Sequence, residues 1–205
     1  MSKSIEDKYK VLDQISHILL RPQTYVGSNK ISTKNCFIIA DDNKSILNKE
    51  ISYIPSFIKI FDEIITNSID ESKRNNNLKT IKVNVEKDFI SVFDDGGIPV
   101  VIHKEYNSYV PEVIFGNLMS GSNYDDTEDR IVAGVNGYGS KLTNVFSKQF
   151  ELTTSDGKKK FYQKFNDNMK KRTKPIVKRS KKNFTEIKYK PDFKQFGMEN
   201  IDDDH

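Results

Sequence analysis

The sequence predicts an α+β fold of two layers, a mixed and mostly antiparallel sheet with helices on one face. Three observations carry that reading. Pro55 fits the first position of a long helix whose apolar residues Phe57, Ile58, Phe61, Ile64, Ile65 and Ile69 form one stripe. Residues 80–86 and 89–95 alternate with a period of two, as Ile81, Val83 and Val85 show, and only Lys87-Asp88 separates them, which is hairpin spacing. Helices and strands alternate along the chain, but the hairpin signals argue for a mixed or antiparallel sheet rather than a doubly wound parallel one.

The remaining elements follow in order. Residues 5–20 place Val11, Leu12, Ile15, Ile18 and Leu19 at helical spacing, and Arg21-Pro22 ends that run before a loop through TYVGS. Residues 34–54 alternate short apolar runs around Asp41-Asp42-Asn43, a hairpin signal. Residues 109–118 read as a short helix, 119–130 as a polar loop, and the glycines at 134, 137 and 139 lead into a helix, KLTNVFS. Residues 150–165 and 184–189 are strand-like, with a basic block between them.

Composition bounds the function classes. A chain of 205 residues can bury a real core without staples, and the single Cys36 excludes an internal disulfide and suits a reducing compartment. No run approaches the ~20 apolar residues of a membrane span, so a soluble intracellular protein is expected. Net charge is only +4, yet residues 158–182 hold twelve Lys or Arg against one acid, Asp167. Such a block is either a solvated, self-repelling surface loop or a patch facing polyphosphate or DNA. The acidic tail 199–205 ends without a turn or cap, as in a chain cut from something longer.

Three segments carry chemistry. On the helix, Glu63 and Asn67 project from one face about a turn apart, with Asp70 three residues on. A carboxylate there can accept a proton from a water aligned on a γ-phosphate, and an amide oxygen is a neutral hard ligand for Mg²⁺. In VFDDGGIPV (92–100) a buried strand ends in two acids and two glycines, a turn that can approach a planar ligand and offer a carboxylate to an exocyclic amine. In AGVNGYGSKL (133–142) backbone N–H groups at a helix start stand beside the ammonium of Lys141, a recipe for holding phosphate oxygens. The loop is neither a GxGxxG dinucleotide fingerprint nor a GxxxxGK[ST] P-loop.

Together these residues resemble the GHKL (Bergerat) ATPases, and within them the N-terminal ATPase domain of type II DNA topoisomerases of the eukaryotic and large-phage kind. The resemblance runs through HILLRPQTYVGS (17–28), IPSFIKIFDEIITNSID (54–70), YVPEVIFGNLMSGSNYDD (109–126), GVNGYGSKLTNVFS (134–147) and FTEIKYKPDFKQFGM (184–198). It implies Glu63 as general base, Asn67 as Mg²⁺ ligand and Asp70 nearby. It puts an acid of the DDGG turn on adenine, followed by Gly97 and Ile98, with Thr185 beneath that acid. Ser122 and Asn123 fall near the sugar and phosphates. Gly134, Asn136, Gly137, Tyr138, Gly139, Ser140 and Lys141 surround the β- and γ-phosphates as an ATP lid, Lys141 with a catalytic share. Tyr9, in an N-terminal strap, reaches the nucleotide of a partner subunit. The family turn usually reads acid-x-Gly-x-Gly, and DDGG is one residue shorter, so the adenine partner is Asp94 or Asp95, with Asp94 favoured from the strand side.

The implied organisation is a strap and first helix over 1–28 and a GHKL domain over 29–205, without the transducer and DNA-cleavage domains. The implied activity is ATP hydrolysis with Mg²⁺ by a clamp that dimerises on ATP and drives DNA strand passage in its parent enzyme. The alternative is an ATP-binding, DNA-contacting fragment with negligible turnover. A GHKL chaperone or histidine kinase fits less well, since no phosphoacceptor context surrounds His17, His103 or His205. The expected location is the cytoplasm of a bacterium or phage-infected cell, or the nucleus for a eukaryotic source.

Overall fold

In the computed structural model, which describes residues 11–118, 139–203 and 205, one antiparallel sheet carries helices against a single hydrophobic core. Helix α1 (Gln14–Leu20) is followed by the short α2 (Pro22–Tyr25), the strands β1 (Ser32–Ile39) and β2 (Ile46–Tyr53), and the long helix α3 (Pro55–Arg74). Then come β3 (Ile81–Val85), β4 (Ile90–Asp94), β5 (Ile102–His103), β6 (Ser108–Tyr109), α4 (Val110–Gly116) and α5 (Gly139–Val145). Strands β7 (Ser147–Asp156), β8 (Lys159–Asn166), β9 (Lys171–Arg172), β10 (Ile176–Arg179) and β11 (Asn183–Pro191) precede a last turn of helix, α6 (Phe193–Phe196).

The main sheet runs β10-β8-β7-β11-β4-β3, with β9 also paired to β8, and every described pair is antiparallel. Alternation along its central strands sends Ile90 and Val92 of β4, Phe150 and Leu152 of β7, Phe161 and Phe165 of β8, and Ile187 and Tyr189 of β11 into the core. Against that face lie α3 and α5. Helix α5 is buried over Ser140 to Val145, as a helix sandwiched between a sheet and other helices must be. Two of its polar side chains donate inward: the Thr143 hydroxyl to the Ile60 carbonyl at 2.7 Å, and Asn144 Nδ2 to the Phe115 carbonyl at 3.1 Å.

Several boundaries differ from the sequence reading for identifiable reasons. Asp13 has extended dihedrals and accepts the Ser16 N–H at 3.0 Å, so it caps α1, and within the described residues the helix begins at Gln14. Pro22 ends α1 but also opens α2, which takes Thr24 and Tyr25 out of the expected loop. Pro55 stands at the start of α3 as expected. The deepest stripe of α3 is Phe57, Ile60, Ile64 and Ser68; Ile58, Phe61 and Ile65 pack half-buried beside it, and Ile69 is exposed. The 150–165 stretch is two strands folded back at Gly157, whose φ of +81° suits glycine. The 158–182 block is no loop: β8, β9 and β10 order much of it as the edge of the main sheet.

Candidate nucleotide site

Helix α3, the turn after β4 and the start of α5 converge on one place. Glu63 is half-buried, with Oε1 2.6 Å from Lys59 Nζ one turn earlier on α3. Its other oxygen lies against Gly139. A Cβ at Gly139 would overlap Glu63 Oε2 and stand 3.2 Å from Glu63 Cδ, so α5 approaches the carboxylate this closely only because residue 139 has no side chain. Asn67 is exposed one turn on, and Asp70 is half-buried. Ser140 and Lys141 follow Gly139 into buried surroundings, and burial pulls the Lys141 ammonium down to about 8.

The two acids of the DDGG turn part company. Asp94 continues the inward face of β4 and is only 6 % exposed; its Oδ2 accepts the Ser68 hydroxyl at 2.7 Å and its Oδ1 the Gly96 N–H at 3.0 Å. Burial raises its proton affinity, opposed chiefly by the Ser68 hydroxyl. Asp95 turns the other way. Its Oδ1 accepts the N–H groups of Thr80 at 3.0 Å and Lys79 at 2.8 Å, and these bonds hold its carboxyl below the usual range. Asp94 therefore faces α3, and Asp95 pins the approach to β3.

Hydroxyls of the sheet hold the turn from below. Thr185, opposite Asp94 in the β11–β4 register, donates to the Gly96 carbonyl at 2.9 Å and lies 2.9 Å from Thr154 Oγ1. Thr154 in turn accepts the Ile98 N–H at 3.0 Å, and Asp156 accepts the Val100 N–H at 2.9 Å. At Gly97 a Cβ would run into the Ser155 carbonyl and Asn183 Oδ1, so the segment after the turn cannot pass β7 with any side chain at this position. A carboxylate beside glycines, a second carboxylate against a helix start, an exposed amide and a buried ammonium can serve an amine-bearing planar ring at one end and phosphates at the other.

No family model matches the chain. Individual proteins do. It is 45% identical over 214 residues to DNA topoisomerase 2 of Plasmodium falciparum, 43% over 209 residues to that of Arabidopsis thaliana, and 43% over 212 residues to that of Acanthamoeba polyphaga mimivirus. These alignments cover 98–99% of the chain. Among solved structures, the ATPase region of Saccharomyces cerevisiae topoisomerase II superposes with a TM-score of 0.94 at 40% identity, covering 98% of this chain and 55% of that one. The chain belongs with the ATPase regions of type II DNA topoisomerases. The ATPase and transducer domains of Balamuthia mandrillaris topoisomerase II match equally well, with a TM-score of 0.94 at 39% identity over 98% of this chain and 54% of that one. The chain spans 14–17% of the length of the three DNA topoisomerase 2 relatives named here.

Within this topoisomerase-type fold, Glu63, Asn67 and Asp70 lie on α3, Gly139, Ser140 and Lys141 at the start of α5, where Gly139 abuts Glu63, and Asp94, Gly97 and Ile98 in and after the turn that Ser68, Thr154 and Thr185 hold. Asp95 turns to the Lys79 and Thr80 N–H groups instead. Tyr9, Ser122, Asn123, Gly134, Asn136, Gly137 and Tyr138 lie outside the described residues. Lys59, Ser68 and Thr154 escaped sequence reasoning. Lys59 was legible as an (i, i+4) partner of Glu63. Ser68 and Thr154 carry no motif and become visible only through pairing across elements. The depression lined by Lys82, Val83, Asn84, Ser91, Phe93 and Glu186 holds none of the predicted site residues. Among the described residues no helix is long and apolar enough to cross a membrane.

Proposed function

We propose that this chain binds and hydrolyses ATP as the N-terminal clamp of a type II topoisomerase, with the strap over 1–28 and the ATPase domain over 29–205. The observation that carries the reading is the wedge of Glu63 against Gly139, which brings an ionisable oxygen to the start of the helix expected to face the phosphates. Glu63 takes the proton of the attacking water, and Lys59 orients its carboxylate. Asp94 accepts from the exocyclic amine of adenine, and Thr185 and Thr154 keep the turn in place. Lys141 balances charge on the phosphates.

Mg²⁺ fits this donor set only as a companion of the nucleotide. Among the described residues there is no cluster of three or more His, Cys, Asp or Glu, whereas the exposed amide of Asn67 offers one oxygen and leaves the other positions to phosphates and water. When bound, the ion would neutralise phosphate charge.

Duplex DNA and a second copy of the chain are the proposed macromolecular partners in the parent enzyme, with Tyr9 reaching across to the partner's nucleotide. The basic edge supports the first. In the β10–β8 pairing Lys178 stands opposite Lys160 and Arg179 opposite Lys159, two adjacent like-charge pairs that cost stability unless an anion lies beside them. The decisive experiment is titration of ATP and GTP into the chain and its Asp94→Asn and Asp95→Asn variants, with steady-state hydrolysis measured alongside. Adenine preference should vanish in Asp94→Asn and survive in Asp95→Asn; the opposite pattern, or no preference in the unaltered chain, would refute the assignment. Binding with negligible turnover would favour the fragment reading.

A further inference from the structure

We propose that Ser68 is a positioning residue for base selection, holding Asp94 as an acceptor-only carboxylate; the inference rests on the reading of Asp94 as the adenine partner. Ser68 sits on the inward face of α3 and is 6 % exposed, out of reach of bulk water. Its hydroxyl proton goes to Asp94 Oδ2 at 2.7 Å while the Gly96 N–H goes to Oδ1 at 3.0 Å. Each carboxylate oxygen therefore has one donor already in place and one acceptor direction free.

The consequence concerns which bases the pocket can tolerate. An ionised Asp94 can only accept, which suits the amine of adenine and opposes the carbonyl oxygen of guanine. A protonated Asp94 would carry a hydroxyl and could donate to that same carbonyl. Selection between the two bases thus depends on keeping Asp94 ionised in a buried place. Burial, Glu71 on α3 and the neighbouring Asp95 all push it toward the neutral form, and the Ser68 hydroxyl is the largest opposing contact, ahead of the Gly96 N–H. The backbone N–H cannot be removed by substitution, but the hydroxyl can.

The test is a titration of non-hydrolysable ATP and GTP analogues into the chain and into Ser68→Ala and Ser68→Thr, at neutral pH and again at a lower, mildly acidic pH, because burial moves the Asp94 carboxyl upward from its ordinary range. Ser68→Ala should lose about tenfold in affinity for the adenine analogue and little or none for the guanine analogue. Discrimination should narrow further at the lower pH, and Ser68→Thr should restore the original ratio. Equal losses for both analogues would mark Ser68 as merely structural and overturn the proposal. So would unchanged discrimination in Ser68→Ala when Asp94→Asn abolishes it. If Asp94→Asn also leaves discrimination intact, the reading of Asp94 falls, and this inference with it. Should Ser68→Ala fail to fold, Ser68→Cys keeps the volume with a weak donor and must fall between the parent and no discrimination; parental discrimination there would equally refute the role.

Discussion

Replacing Gly139 with alanine should separate stability from catalysis. In a helix, glycine is about 0.5–1 kcal/mol less favourable than alanine, so the substitution gains stability at the backbone. The new Cβ would overlap Glu63 Oε2 and lie 3.2 Å from Glu63 Cδ. Normal carbon contacts lie near 3.5–4.0 Å, so the carboxylate must retreat by on the order of 1 Å. The obstructing group is the end of a flexible side chain with 22% of its surface exposed, so retreat is cheap and the net change in stability should stay within about 1 kcal/mol. Catalysis is less tolerant, because a misplacement of about 1 Å can cost ~10²-fold. Thermal melting and single-turnover ATP hydrolysis would be measured together, in the parent and in a Glu63→Gln background. The expected result is a melting temperature near that of the unaltered chain, hydrolysis reduced roughly 10–100-fold, and no further loss from Gly139→Ala once Glu63 is Gln. Undiminished turnover, or the same loss in the Glu63→Gln background, would refute the contact as the position of the base.

For Asn67→Ala, Mg·ATP binding should weaken while binding of Mg-free adenosine stays nearly unchanged, as calorimetric titration of both ligands would show. Lys141 gives a protonic signature: with its proton affinity near 8, about half the molecules carry that proton at pH ~8, and phosphate charge should fill the remainder. Nucleotide binding should then take up about half a proton, read from binding enthalpies in buffers of different ionisation heat, and Lys141→Met should abolish the uptake. The same shift has a stability sign. The unfolded chain binds more protons between about 8 and the ordinary lysine value of 10.5, so stability should rise with pH across that window and be lower beneath it. At the basic edge, changing Lys170, Lys171, Lys181 and Lys182 to Gln should flatten the dependence of duplex affinity on salt, by somewhat less than one unit of log–log slope per lost phosphate contact, and leave ATP binding intact.

The long helix and the 80–95 hairpin were legible in the sequence because each rests on local spacing, Pro55 before an apolar stripe and a period of two, and the four residues between Glu63 and Asn67 put both on that helix. The divergence of Asp94 from Asp95 was less legible. Both are acids in one turn, and what separates them is β4's inward face and a serine 26 positions earlier in the chain. The basic block misled for a related reason. Charge density reads as a solvated loop, but sheet pairing can hold Lys160 beside Lys178 when Phe161 and Phe165 on the opposite face of β8 anchor the strand in the core. The exposure of Ile69 shows the same limit: a helix stripe predicted from apolar letters alone is wider than the strip the sheet covers, and Ser68 fills the place beside it.

The central claim is that Glu63 is the base that turns bound ATP over. Its most direct test is one experiment on the unaltered parent and on Glu63→Gln, with nucleotide affinity and single-turnover phosphate release measured on the same samples. The account predicts ATP affinity within about threefold of the parent and phosphate release slower by roughly 10²–10⁴-fold. Phosphate release at the parental rate with ATP bound would contradict it.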